Sequence, residues 1–379
     1  MSSSNPYDLD SGSLLDGIRD WIEIESPSDE PAAVNRMMDR AQDELEELGL
    51  AVDRFQLDGG VGDAVRGRTA PGDDRPGVLV LSHLDTVHPL GTLAGPLPFK
   101  VEGDRAYGPG IADMKGGAWM GINALRVLRR ANEETGLPVT ILLTPDEELG
   151  STASRTLIED EARRARYALV TEPGRGGGRC VTGRRGGGRY RMDVKGRAAH
   201  SGVAHQDGRS AVLELARQVI RLEAMTDYDR DVSINVGTIG GGTKNNIVPA
   251  QAWAGIDLRV STAEEAERMN AEILGLRPMG KDVEVTVTGF LTRPPFTKDA
   301  GIDALYRRAR SLAEEIDLDL RDMATGGGSD GNFTAALGIP TLDGIGADGA
   351  GFHTHDEHIF VSRLVPRQTL MIRLLQSLG

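Results

Sequence analysis

Val139-Thr-Ile-Leu-Leu-Thr-Pro-Asp-Glu-Glu-Leu-Gly150 is a short apolar run that ends in three consecutive carboxylates. Its brevity, its β-branched residues and the flanking Pro138 and Pro145 predict a buried strand rather than a helix. Asp146, Glu147 and Glu148 then fall just past the strand's carboxyl end, the edge at which open α/β sheets bind ligands. An isolated acidic triplet would read as a solvated turn. Two further runs repeat the pattern, however. Val78-Leu-Val-Leu81 is followed by Ser82-His83-Leu84-Asp85, and Tyr167-Ala-Leu-Val170 by Thr171-Glu172-Pro173. Three β-like runs therefore carry His, Glu and Glu towards what would be one edge of one sheet.

Outward from these runs, strands alternate with helical stretches. Leu14, Leu15, Ile18 and Ile22 have helical spacing, and a second helix is expected from Pro31 to Leu48, capped by Ser28 or Asp29 and stopped by Gly49. Strands near Val52–Leu57 and Ala64–Thr69 precede the Val78 run, and helices over Trp119–Leu128 and Ser154–Arg163 separate the later runs. This alternation predicts an α/β fold with a mixed, largely parallel sheet and helices on both faces. Gly174-Arg-Gly-Gly-Gly-Arg and Gly183-Arg-Arg-Gly-Gly-Gly read as a flexible connection flanking a strand. Beyond it the order becomes β-α-β-β-α-β, that of an inserted ferredoxin-like α+β domain. A capping box at Ser261-Thr-Ala-Glu264 opens its second helix. After it, Ile302–Ile316 is helical, Asp317–Arg321 is extended, and α/β alternation resumes. The boundaries expected are 1–184 and 297–379 for the catalytic domain and 185–296 for the insertion.

The chain has 379 residues, 43 basic against 57 acidic, and a net charge of -14. That balance argues against nucleic acid or an anionic membrane as partner. A single cysteine, Cys180, excludes intramolecular disulfides and cysteine metal clusters. No stretch approaches the roughly 18 apolar residues of a membrane span, and the polar opening Met1-Ser-Ser-Ser-Asn-Pro is unlike a signal peptide. A cytoplasmic protein is the expectation.

His and carboxylate donors without cysteine suit zinc, with cobalt or manganese as alternatives, and a pair of metals needs a bridging carboxylate. Asp113, in Gly108-Pro-Gly-Ile-Ala-Asp-Met-Lys-Gly-Gly117, is the candidate; a helix cap is the plainer reading of that residue. In His83-Leu-Asp85 the carboxylate could fix the tautomer of a ligating imidazole. Adjacent Glu147 and Glu148 could divide the work, one holding metal and the other accepting a proton.

Ser82-His-Leu-Asp-Thr86, Gly108 to Gly116, Asp146-Glu-Glu-Leu-Gly150, Thr171-Glu-Pro173 and His353-Thr-His-Asp-Glu357 together resemble the ordered motifs of the dinuclear zinc peptidase and deacylase family. Glutamate carboxypeptidase, acetylornithine deacetylase and succinyl-diaminopimelate desuccinylase are branches of it, and Thr325-Gly-Gly-Gly-Ser-Asp330 and the surroundings of Arg259 look most like the first. The resemblance implies that His83 and Glu172 hold one metal, Glu148 and His353 the other, and that Asp113 bridges them. Asp85 would orient His83, and Glu147 would deprotonate the bridging water and pass the proton to the leaving amine. It also implies a cis Asp113-Met114 peptide. Gly196-Arg-Ala-Ala-His-Ser-Gly202 resembles the family segment whose histidine, here His200, reaches the partner's active site. The insertion would then serve as a lid and as the surface of a homodimer. Asn246 and Arg259 match substrate-contacting positions, although a surface salt bridge would equally account for Arg259. Thr354 stands where the family usually has serine. His355 is a second imidazole nearby, and His353 is preferred because Glu357 then falls at the family spacing. His88, His205 and His358 read as ordinary loop or surface residues.

The expected activity is hydrolysis of an amide bond in a small peptide or N-acyl amino acid with a free carboxylate, through a metal-bridging hydroxide. Glutamate-carboxypeptidase-like action is preferred to N-acyl amino acid deacylation. Alternatives of other classes are a non-catalytic binding protein on the same fold and a dinuclear phosphoesterase, for which Lys115 is the one nearby cation.

Overall fold

The computed structural model describes residues 7–379, so the reading of Met1 to Pro6 as unlike a signal peptide lies outside the described residues. Across the main sheet the strands run in the order Ala51–Phe55, Ala64–Arg68, Val139–Thr144, Gly77–His83, Ala165–Val170 and Thr341–Leu342. The last four are mutually parallel, and the first two form an antiparallel hairpin at one edge. Leu81 is level with Leu142 on one side and Val170 on the other. This register brings the carboxyl ends of three strands into line, so His83, Asp146 to Glu148 and Glu172 emerge along one edge.

Apolar residues alternate between two buried faces. Val78, Val80, Ile141, Leu143 and Leu169 pack with the helices Ser11–Ile22, Pro31–Glu47, Gly116–Arg130 and Val361–Ser377. Leu79, Leu81, Leu142 and Val170 face Ile158 and Ala162 of the helix Arg155–Ala162, and Phe333 of Gly331–Ala336. A strand covered on both sides has no solvent face, which is why these segments read as continuous apolar runs. Each large aliphatic side chain so buried contributes about 1.5–3 kcal/mol. Among the described residues no helix is long and apolar enough to cross a membrane.

Some local expectations need correction. The helix Pro31–Glu47 is preceded by Glu30, which makes no side-chain capping bond; Ser28 is turned instead to donate to the Asp85 carboxylate at 2.7 Å. Asp317–Arg321 is not a strand. The strand is Asp322–Thr325, paired with Cys180–Arg184. The Gly174 tract is not a loose connection either. Residues 175 and 179 exchange two backbone hydrogen bonds of 2.9 Å, and Gly174 donates to the Ala347 carbonyl.

A small antiparallel sheet joins segments that are far apart in the chain. Its order is Gly349–Ala350, His358–Phe360, Arg105–Tyr107 and Lys100–Glu102. His358 pairs with Tyr107 and Gly349 with Ile359, so the loop carrying His353 lies beside the loop carrying Asp113.

The chain divides into two units. One comprises the chain up to Gly183, Lys298–Thr325 and Ser329–Gly379; the other is Arg184–Thr297 with Gly326–Gly328. These limits fall one residue from the expected 184/185 and 296/297, and the glycine triplet belongs with the insertion. There, Arg184 donates to the Gly327 and Gly328 carbonyls. The second unit has the helices Ala211–Glu223 and Ala263–Leu274 against an antiparallel sheet in the order Ser233–Gly241, Gln251–Val260, Gly186–Lys195, Glu284–Arg293. That is the split βαβ arrangement. Alternate residues Ala252, Ala254, Ile256, Leu258 and Val260 turn to its own core.

Candidate metal centre

His83 ends its strand fully buried, and its Nδ1 lies 3.0 Å from the Asp85 carbonyl and 3.4 Å from the Asp85 carboxylate. The other ring nitrogen therefore points away from Asp85. Asp85 itself is completely buried and accepts from the backbone N–H groups of Glu147 and Glu148, each at 3.1 Å, as well as from Ser28. One carboxylate thus fixes both the imidazole and the turn that displays the glutamate pair. Asp146 closes that turn from behind, accepting from Ala153 and Ser154 N–H and the Ser154 hydroxyl. The first residue of the acidic triplet is structural, and Glu147 and Glu148 face the site.

Asp113 sits in an irregular turn with a cis peptide to Met114, at φ -118 and ψ 89, ahead of the helix Gly116–Arg130. It does not act as a helix cap. Its Oδ1 is 3.3 Å from His83 Nε2 and its Oδ2 is 3.5 Å from His353 Nε2. His353 also approaches Glu148 Oε1 at 3.2 Å, and His83 Nε2 lies 3.8 Å from Glu172 Oε1. Two donor sets share His83: one with Glu147 and Glu172, the other with Asp113 and Glu148, each with its donor atoms within 4.8 Å of one another. His83 Nε2 and Glu148 Oε1 are buried without a hydrogen-bond partner. Such orphaned atoms cost about 1–3 kcal/mol each unless something satisfies them. A bound divalent cation would satisfy both, and imidazole nitrogen and carboxylate oxygen are donor types such ions take.

The charges are interlocked. Burial works against protonation of His83, but the flanking Asp113 and Asp85 carboxylates override it and raise its pKa well above the ordinary value. Burial would push the Asp113 pKa up, yet His353 and His83 hold it well below the usual carboxylate range. Glu148 is pushed up by burial, with the Asp113 charge adding to the effect. His353 is raised to about 10 by the Asp113 and Glu148 carboxylates beside it. Its backbone is held at φ 61, a left-handed conformation seldom adopted by a non-glycine residue.

Several buried residues near the site have partners that the sequence reading did not assign. Glu357 is buried and accepts from the N–H groups of Gly110, Ala112 and Asp113 at 3.1, 2.9 and 3.0 Å. It also receives His88 Nε2 at 2.6 Å. His88 is therefore no surface residue, and neither is His358, which is buried on its strand with Nδ1 2.6 Å from the Asp356 carbonyl. His205 is exposed, as expected. The only signal for His88 was its position five residues beyond His83 on the same exit loop. Lys115 is wholly buried, donates to the Ile24 carbonyl, and is pulled down to about 7 by burial. It is not presented as a phosphate ligand. In the second unit, His200 is exposed, with Nδ1 accepting from Gly202 N–H at 3.2 Å, and exposed Asn246 lends its carbonyl to Ser201. Arg259 makes a forked pair with Asp257 at 2.9 and 3.2 Å, two residues away on the same strand face.

The fold, with a cysteine-free cluster of imidazoles and carboxylates at its sheet edge, defines a metal-dependent hydrolase. More particularly, the sequence pattern of Peptidase family M20/M25/M40 matches residues 79–377, and the chain belongs to that family. Carboxypeptidase G2 of Pseudomonas sp. (strain RS-16) is 33% identical over 342 residues, covering 89% of this chain and 82% of that protein. Succinyl-diaminopimelate desuccinylase of Albidiferax ferrireducens is 30% identical over 302 residues, 73% of each chain. Among solved structures, aminopeptidase PepT from Bacillus cereus ATCC 10987 superposes with a TM-score of 0.77 at 23% identity, covering 97% of this chain and 98% of that one. The M20 family metallo-carboxypeptidase Sso-CP2 from Sulfolobus solfataricus gives 0.73 at 18%, with 96% and 98% covered. These two likenesses concern the fold.

Proposed function

We propose that the protein is a dinuclear metal-dependent amidohydrolase acting on a small peptide or N-acyl amino acid with a free carboxylate, and that it works as a carboxypeptidase. The observation that carries this reading is the Asp113 carboxylate, whose two oxygens lie 3.3 and 3.5 Å from two different imidazoles. Beside it, His83 Nε2 and Glu148 Oε1 lack hydrogen-bond partners. His83 and Glu172 would hold one ion, Glu148 and His353 the other, and Asp113 both, with zinc favoured over cobalt or manganese by the donor set. When bound, such ions acidify a water and polarise the carbonyl of the substrate. Glu147 is then the proton carrier, accepting from the water and delivering to the leaving nitrogen. Asp85 holds His83 and the Glu147-Glu148 backbone in register. Arg259 and Asn246 would contact substrate, His200 would act on the partner's site in a homodimer formed through residues 185–296, and the enzyme would work in the cytoplasm.

The preference for carboxypeptidase action is supported by the similarity to carboxypeptidase G2 over most of the chain. Deacylation is the second reading, favoured by the similarity to a desuccinylase. Metal content per chain should be measured with hydrolysis of benzoyl-glutamate, dipeptide and N-acetyl- or N-succinyl-amino-acid panels, on wild type and Glu147→Ala. Two metals in both proteins, with turnover of the glutamate conjugates or dipeptides lost in the variant, is the expected result. Turnover of the acylated compounds alone would transfer the choice to deacylation. Two metals with no turnover would favour a binding protein, and fewer than two would overturn the ligand set.

A further inference from the structure

Arg175 opens the hairpin that replaces the expected loose glycine tract. Gly176, Gly177 and Gly178 turn it at φ 51, 91 and 85, a left-handed succession that only glycine adopts readily. The hairpin is anchored at its far end by Arg367, a fully buried guanidinium that donates to the carbonyls of Gly178, Gly344 and Gly346. A side chain at Gly178 would come within 2.8 Å of Asp348 Oδ2, so the turn sits tight against the neighbouring loop. Arg175 is thus presented from a fixed scaffold.

Its guanidinium lies over the Phe352 ring, 4.6 Å from the centroid, immediately beside His353. Nη2 is 4.0 Å from Glu172 Oε2, too far for a hydrogen bond. Nε is buried without any hydrogen-bond partner, while the side chain as a whole remains 27% exposed. A planar fork of donors, oriented by an aromatic face and reachable from solvent, stands 4.0 Å from the Glu172 carboxylate and against the residue that precedes His353, with its Nε unpartnered. Arginine in that state matches a planar carboxylate, which it can grip through two parallel N–H bonds.

We infer that Arg175 is a specificity-determining residue that binds the free carboxylate of the substrate beside the metal centre. This rests on the reading of the site as an amidohydrolase centre. It gives the glycine-arginine tract a role apart from Arg259, which is already paired with Asp257.

The test is calorimetric binding to the full-length, metal-loaded Glu147→Gln protein, with and without Arg175→Ala or Arg175→Lys. The probes are N-benzoylglutamate and its α- and γ-carboxamides. Removing the guanidinium should weaken the diacid on the order of 10- to 100-fold, the range of a charge-assisted pair. One carboxamide, already lacking the relevant carboxylate, should lose little more, and lysine should restore only part of the affinity. Equal weakening of all three ligands, or none, overturns the inference. So does loss of metal from Arg175→Ala, which would mark a structural role at Glu172. Failure of the parent protein to bind any of the three while wild type turns over nothing in the panel is a different result: it removes the amidohydrolase reading itself, and the inference falls with it.

Discussion

His353 shows how one side chain is tuned by its neighbours. Its raised pKa, about 10, means that in the metal-free protein the imidazole stays protonated against Asp113 and Glu148. The stabilisation this pairing brings is fully present below the unfolded value near 6.5 and is lost as pH rises through about 10. With 54% of the side chain exposed, solvent screens much of it. A metal needs the neutral ring, so metal and proton compete for Nε2. Zinc titrated into the metal-free protein at pH 8 should therefore release protons, measured as a heat that changes between buffers of different ionisation enthalpy. Its affinity should climb steadily from pH 6.5 to 9. A buffer-independent heat would remove both His353 and His83 from the ligand set. At the same scale, the adjacent glutamates reach different neighbours, Glu147 towards Glu172 and Glu148 towards Asp113, while Asp85 pins the backbone of both.

Elements are joined at the site by close backbone approaches and by single acceptors. A Cβ at Gly117, in the first turn of its helix, would lie 2.0 Å from the Thr171 carbonyl, next to Glu172. Gly117→Ala should force helix and strand end apart, lowering stability by about 1–3 kcal/mol in urea unfolding and weakening metal binding. Unchanged metal affinity would show that the strand end adjusts freely. The Glu357 carboxylate accepts from three backbone N–H groups of the Asp113 loop, those of Gly110, Ala112 and Asp113, and from His88. Glu357→Ala should cost roughly 3 kcal/mol or more, because several buried donors lose their partner at once. Metal affinity should also fall about 10- to 100-fold, as for other residues that orient ligands. A wild-type melting curve and metal titration for this variant would refute that account.

At the scale of the whole molecule, the two units have separate apolar cores, one built on Val78, Val80 and their neighbours and one on Met192, Ile256 and theirs. Metal donors in both proposed sets belong to the first unit. Chelation should then destabilise that unit selectively, by about 2.7 kcal/mol for each site previously held at a hundredfold excess over its Kd. Differential scanning calorimetry should show a transition that falls in temperature on chelation and returns with zinc, while exchange protection of amides in Gly186–Lys195 and Gln251–Val260 is unaltered. Uniform loss of protection in both units would contradict this.

Much of the architecture was legible because its physical cause is local. A strand buried on both faces must be apolar throughout, so Val78–Leu81, Val139–Leu143 and Tyr167–Val170 declare themselves, and the polar residues that end them mark the sheet edge. The absence of cysteine clusters narrowed the metal chemistry, and the family resemblance of the motifs supplied a proposed donor set whose members lie near one another in the fold. Tertiary structure alone decided who meets whom. His88 and Glu357 are 269 residues apart and meet because a small sheet registers Tyr107 against His358. Ser28 was read as a helix cap but turns to Asp85, and the glycine-arginine tract was read as slack but is tied down by Arg367. Residue type and periodicity encode what each segment prefers. They do not encode which distant donor will reach a buried acceptor, and that choice fixed the shape of this site.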